Sequence, residues 1–220
     1  MKATHEHEFE AAPGLPEPLP LGEQILWQGA PDWRSLAVHA FFVRKLSIYF
    51  AAMLAVQVIY LIGQSVAWDQ VLIAVVKSGA LVLTALGLLA AVAWFSSKTT
   101  LYTITDRRVV MRIGIVLTLT FNLPFKRIAG AALKPLGGHV GDIALSLTQA
   151  DRIGWIHLWP HARAWHLEHP EPTLRCLPDA EAVGQLLLSA WRTAHPVEQM
   201  MAGSPELSGA VAKRRESLAI

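Results

Sequence analysis

Four histidines crowd into HLWPHARAWHLEHP: His157, His161, His166 and His169. Neutral imidazole is the commonest metal ligand and the side chain most ready to move a proton near neutral pH. Spacings of four, five and three would let two or three rings meet over a metal or a tetrapyrrole. Pro160 and Pro170, however, break any helix that would align them. The expectation is therefore loop histidines beside an aromatic surface, with no metal and no other cofactor. Trp155, Trp159 and Trp165 share the stretch, and tryptophan is favoured both at contact hot spots and at membrane interfaces. Trp155, Trp159, His161 and Trp165 are thus the candidate partner surface.

Other reactive patterns are missing. There is no GxSxG, P-loop or HExxH. Gly137-Gly138-His139-Val140-Gly141 reads as a hairpin turn between strands, because no helix follows it to hold a phosphate. Asp142 and Asp151 flank one strand without converging. Cys176 is the single cysteine, which leaves no intrachain disulfide and no thiolate cluster. The chain is expected not to be an enzyme.

The elements that position these residues are organised around residues 46–95. Residues 46–66 are uncharged and span about 30 Å as a helix, the thickness of a bilayer's hydrocarbon core. A second uncharged run covers 78–95, and its helix is expected from Val71, with Lys77 snorkelling to the interface. The short link between them makes a transmembrane hairpin, 46–66 and 71–95. Small residues recur at helical spacing, at Ser47, Ala51, Ala55 and Gly63 and again at Ala80, Thr84, Gly87 and Ala91. These faces are expected to pack the two helices on each other, a dimer seam being the sharper alternative. Gln57 and Gln64 suit interhelical bonds. Neither span holds a histidine, the natural axial ligand for a chlorophyll magnesium.

Of 220 residues, 53% are hydrophobic. Charge is uneven: residues 1–43 hold two basic and six acidic residues, and residues 98–178 hold ten basic and five acidic. Arg34, Arg44 and Lys45 precede the hairpin, and Lys98, Arg107, Arg108 and Arg112 follow it. That bias predicts both termini in the cytoplasm. Arg107, Arg108, Arg112, Lys126 and Arg127 are candidate contacts to anionic headgroups of membrane lipids. The modest charge excess, without a nucleic-acid motif, argues against nucleic acid.

Residues 1–22 are acidic and then proline-rich, and read as a flexible leader. Residues 23–45 hold a short strand from Glu23, a turn at Gly29-Ala30-Pro31, and an interfacial segment capped by Asp32. After Lys98 the period falls to two. TTLYTIT, VVMRIGIV, LTLTFNLPF, IAGAALKPL, DIALSLTQ and RIGWIHLWP read as short strands of an antiparallel barrel or sandwich. An amphipathic helix with Asp179 as its cap closes the domain at 195, through Val183, Leu186, Leu187, Ala190 and Trp191. Residues 196–220 read as a disordered tail.

Strands closed by one C-terminal helix resemble a pleckstrin-homology (PH)-like barrel. YTITDRRVVMRIG resembles the strand entry of bacterial PH-like domains that follow a membrane hairpin, and ILWQGAPDW resembles the W-x-G-x-P element that precedes it. With FFVRKLSIYF, GDIALSL, RIGWIHLWPHARAW and PEPTLRCLPDA in this order, residues 14–195 resemble the PuhB-type photosynthetic-complex assembly proteins of purple bacteria. The resemblance implies an α+β fold: a two-helix hairpin, then a PH-like domain at 98–195. It implies an assembly factor in the cytoplasmic or intracytoplasmic membrane, which self-associates and serves the reaction centre and core light-harvesting subunits. The alternative is a lipid-binding or scaffolding PH-domain membrane protein unconnected with photosynthesis.

Overall fold

In the computed structural model, the described residues are 15, 18–115, 117–148, 155–163 and 170–195. The chain opens with strand β1 (Ile25–Gly29) and helix α1 (Trp33–His39). The membrane-type hairpin follows as α2 (Val43–Gly63) and α3 (Trp68–Thr99). Then come β2 (Leu101–Thr105), β3 (Arg108–Ile113), β4 (Leu119–Pro124), β5 (Ile128–Gly137), β6 (Val140–Leu147), α4 (Trp155–Leu158), β7 (Thr173–Pro178) and α5 (Ala180–Ala194). The fold is α+β, with two apolar helices, antiparallel PH-like sheets and a C-terminal helix, as the sequence predicts.

Strands β1-β2-β3-β4 form one antiparallel sheet and β5-β6-β7 another. β1 lies before the hairpin and β2 after it, yet the two pair, with Gly29 opposite Tyr102. The domain is therefore discontinuous: its first strand belongs to residues 23–45, and both ends of the hairpin are sewn into one sheet. Tyr102, Ile104, Met111, Phe125, Leu145 and Leu174 fill the space between the sheets. α5 covers it with Val183, Leu187 and Ala190, all buried.

Local chemistry sets the boundaries. Asp32 caps α1 by accepting the Ser35 N–H at 2.8 Å. Phe42, at φ 55°, separates α1 from α2. α2 and α3 are both long and apolar enough to cross a membrane. α2 starts earlier than predicted, taking Arg44 and Lys45 into its first turn. α3 outruns its apolar stretch through Ser96, Ser97, Lys98 and Thr99. It does so because Ser96 and Ser97 are buried and Ser97 donates to the Pro31 carbonyl at 2.6 Å.

Three expectations need correction. The small faces do not pack the hairpin: Ala51, Ala55, Gly63, Ala80, Thr84, Gly87 and Ala91 are exposed, while Phe50, Leu54, Gln57, Val58 and Leu61 turn inward on α2. On α3 the inward residues include Ala74, Ser78, Gly79, Val82, Ala85 and Leu89, so small residues do line that helix's contact, on a face next to the predicted one. WIHL is a turn of helix, α4, and not a strand; residues 151–154 lie outside the described set. Asp179 precedes α5 in a left-handed conformation (φ 49°) and makes no side-chain cap bond, its carbonyl instead accepting the Val183 N–H. The predicted leader and tail lie outside the described residues, apart from Leu15 and 18–22.

Candidate functional site

The polar groups that converge do so where the hairpin enters the two sheets. Thr100 ends α3, Tyr102 lies in β2, His161 follows α4, Asp142 is in β6, and Arg175 and Cys176 are in β7. Alternation in YTIT turns Tyr102 and Ile104 inward, and both are fully buried. His161 is also fully buried, held by its own N–H to the Leu158 carbonyl and by its carbonyl, which accepts the Thr173 N–H at 2.8 Å.

The hydrogen bonds assign the protons. The Arg175 N–H donates to the Tyr102 phenol oxygen at 3.2 Å. The phenol O–H is then left to donate to His161 Nδ1, 2.6 Å away. With Nδ1 accepting, the imidazole proton sits on Nε2 and points at Thr100 Oγ1, 3.1 Å away. The chain of bonds runs β7 to β2 to His161 to the end of α3, and each ring atom is used.

Electrostatics keep this network neutral. Burial, assisted by the Arg175 guanidinium, pushes the His161 pKa down to about 3. Burial also raises the Tyr102 phenol above its ordinary value. The Cys176 thiol is pushed up to about 12, first by burial and then by the Asp142 carboxylate. It is a protonated, inert thiol. Asp142 is buried among these groups, accepting the Cys176 N–H at 2.8 Å with its other oxygen 3.6 Å from Arg175 Nε. Arg175 also donates to the Pro160 carbonyl at 3.2 Å. Sequence reasoning missed Thr100, Tyr102, Asp142 and Arg175. The available signal was a charged residue set among apolar ones within a strand, as at Arg175 in TLRCLP and Asp142 in VGDIALSL.

A second cluster welds the hairpin to the domain. Leu36, Ala37, Ala40 and Phe41 bury against Ala93 of α3 and Cys176 of β7, with Leu136 and Val140 from the β5–β6 turn packed alongside. The Asp32 N–H donates to the Cys176 carbonyl at 2.8 Å. The W-x-G-x-P element acquires a physical meaning here. A Cβ at Gly29 would run into the Trp27 indole, and Pro31 supplies the carbonyl that holds Ser97.

The four residues of the partner surface separate. Trp159 is 48% exposed and sets its ring edge-on to Phe41, centroids 5.4 Å apart. Trp155 is half-buried against the core. His161 is wholly inside and cannot belong to an exposed surface, because it is the partner of Tyr102 and Thr100. Trp165, His166 and His169 lie outside the described residues, as does the side chain of His157. Among the described residues no three His, Cys, Asp or Glu side chains come together to hold a metal.

The basic residues separate as well. Arg112 sits opposite Leu101, at the start of β2. Arg107 and Arg108 lie past the far end of β2, and Lys126 and Arg127 follow β4 at that same end, since Arg108 pairs with Pro124. At about 3.3 Å per residue these four are on the order of 15–20 Å along the sheet from the end of α3. Arg108 is also committed, binding buried Glu23 through two bonds of 2.7 and 3.0 Å. Arg107 donates to the Gly22 carbonyl at 3.3 Å.

A family model described as a bacterial PH domain matches residues 41–191. An "Uncharacterized 23.7 kDa protein in puhA 5'region" of Rhodobacter capsulatus is 37% identical over 214 residues, covering 96% of this chain and 98% of that protein. No solved structure matches the chain. The paired sheets closed by α5, together with a match that runs from Phe41 into Trp191, make this chain a member of the bacterial PH domain family.

Proposed function

We propose that this protein is an integral-membrane assembly factor of the PuhB type, supporting accumulation of the photosynthetic reaction centre and its core light-harvesting complex. The observation that carries the reading is the relative that aligns over nearly the whole of both chains and is placed by its name beside a puh gene. The geometry suits a binding role. His161 is buried and neutral, Cys176 is buried and protonated, and the described residues bring no nucleophile and base together at an accessible surface. In this reading α2 and α3 cross the cytoplasmic membrane, and both termini and the two sheets lie in the cytoplasm. Support comes from the basic residues flanking the hairpin and from the β1–β2 pairing that draws its two ends together. The client subunits meet the exposed aromatic face at Trp159.

The test is a deletion strain grown phototrophically. Reaction-centre and core-antenna absorption should fall while pigment synthesis continues, and the intact gene should restore both complexes. A Trp159→Ala protein that accumulates normally but restores them poorly would place the working surface at Trp159. Normal complex levels in the deletion strain would overturn the assembly reading.

A further inference from the structure

The β3–β4 turn carries large apolar side chains that the protein does not cover. Ile115 is 43% exposed and Leu117 80% exposed. Turns facing water favour Gly, Asn, Asp, Ser and Pro, whereas GIVLTL, residues 114–119, has one glycine and otherwise only apolar residues and a threonine. The glycine is required by the shape of the turn. Gly114 has φ +121°, and a Cβ there would collide with the Leu117 carbonyl. Gly114 thus brings the Leu117 carbonyl close to its own backbone, and Ile115 and Leu117 face outward.

Its position in the fold supplies the partner. Leu101, just past the end of α3, pairs with Arg112, and Ile113 pairs with Leu119. β3 runs back toward α3 and touches it, so Gly114, Ile115 and Leu117 lie beyond the start of β2. Two residues beyond Ile113 reach roughly 7 Å at the strand rise. The polar end of α3, from Ser96 to Thr100, is about as long at the helical rise. The two lengths match, so a turn running alongside the end of α3 reaches the level of Trp94 and Phe95, 42% and 49% exposed, where the apolar part of α3 ends. The opposite end of the same sheet bears Asp106, Arg107, Lys126 and Arg127. Arg112 apart, the sheet is polarised, with an apolar tip toward the hairpin and its other charges away from it.

We propose that the β3–β4 turn inserts into the boundary between headgroups and acyl chains of the bilayer that α2 and α3 cross, as a second apolar anchor for the domain. The inference rests on the reading that the hairpin spans the membrane, and its occupant is lipid, continuous with the lipid around Trp94 and Phe95.

The experiment places one environment-sensitive fluorophore at a time on the full-length chain in nanodiscs of phosphatidylcholine and phosphatidylglycerol. The sites are Leu117→Cys, Lys126→Cys at the far end of the sheet, and Met53→Cys in the middle of α2. Cys176 is buried and protonated, and the unsubstituted chain serves as the labelling blank. Each label is challenged with a lipid carrying a nitroxide near its headgroup and with iodide in the water. The label at 117 should lose most of its emission to the nitroxide lipid and little to iodide, and the label at 126 should do the reverse. A label at 117 that responds to iodide as the one at 126 does, while that at 53 is protected from iodide, overturns the anchor and leaves the hairpin standing. Protection of 117 from both quenchers marks a protein contact and also overturns it. Exposure of 53 to iodide overturns the spanning hairpin, and the anchor with it.

Discussion

Acid should loosen the junction through His161. The imidazole is fully buried, with its folded pKa near 3 against an ordinary 6.5. An unfolded chain therefore binds a proton between those values that the folded chain refuses. The group's contribution is whole above pH 6.5 and is lost as pH falls from 6.5 toward 3, at about 1.4 kcal/mol per pH unit. At pH 5, some 1.5 units below the ordinary value, the loss is about 2 kcal/mol. For a folded unit of ~100 residues that corresponds to a fall in Tm on the order of 10 °C. The assay is thermal unfolding of the purified protein in detergent at pH 7.5 and pH 5, for the wild type and for His161→Gln. The variant should be less stable at pH 7.5, because it disturbs the bonds to Tyr102 and Thr100, yet its melting temperature should fall much less between the two pH values. His39, whose pKa is lowered first by burial, contributes in the same direction in both proteins. Equal pH dependence in wild type and variant would refute the neutral, buried imidazole.

Three further outcomes follow from the packing. Leu187→Asp puts a charge on the buried face of α5 and should cost several kcal/mol, on the order of the domain's whole stability; normal levels of folded protein would show that α5 is not docked. Glu23→Gln removes the carboxylate that Arg108 grips with two bonds and should cost about 1–3 kcal/mol in chemical denaturation; an unchanged midpoint would mean that the segment before the hairpin is not anchored to β3. Reporter fusions in the 64–67 link and at the C-terminus should report opposite sides of the membrane, and agreement between them would exclude the hairpin topology.

What the sequence made legible was what periodicity and length encode. Two long uncharged runs announced α2 and α3, alternation announced β2 to β6, and Asp32 announced its cap. Hydropathy could not show that α3 continues through Ser96–Thr99, because those serines are buried within the fold, Ser97 against the Pro31 carbonyl, and not by apolar neighbours in sequence. The strand expected at WIHL failed because a short apolar run is equally a buried helical turn. The candidate site was legible only in part. Trp159 was found by its type, and His161 was found but misplaced on the surface, since its burial depends on partners about 60 residues earlier in the chain. The basic residues were grouped by sequence proximity to the hairpin, but strand direction carries four of them to the opposite end of the sheet.

The pairing of β1 with β2 across the inserted hairpin imposes an order on biogenesis. β1 leaves the ribosome roughly 70 residues before the strand it needs, a long-range contact of the kind that forms slowly in a free chain. In the proposed topology, α2 and α3 threaded side by side into the bilayer would hold their flanks close and largely meet the loop-closure cost. Until then β2 has an open edge, the kind of surface that invites aggregation and proteolysis. In the proposed topology, completion of the sheet would therefore report on insertion, since the bilayer that holds the hairpin would also bring β1 to β2.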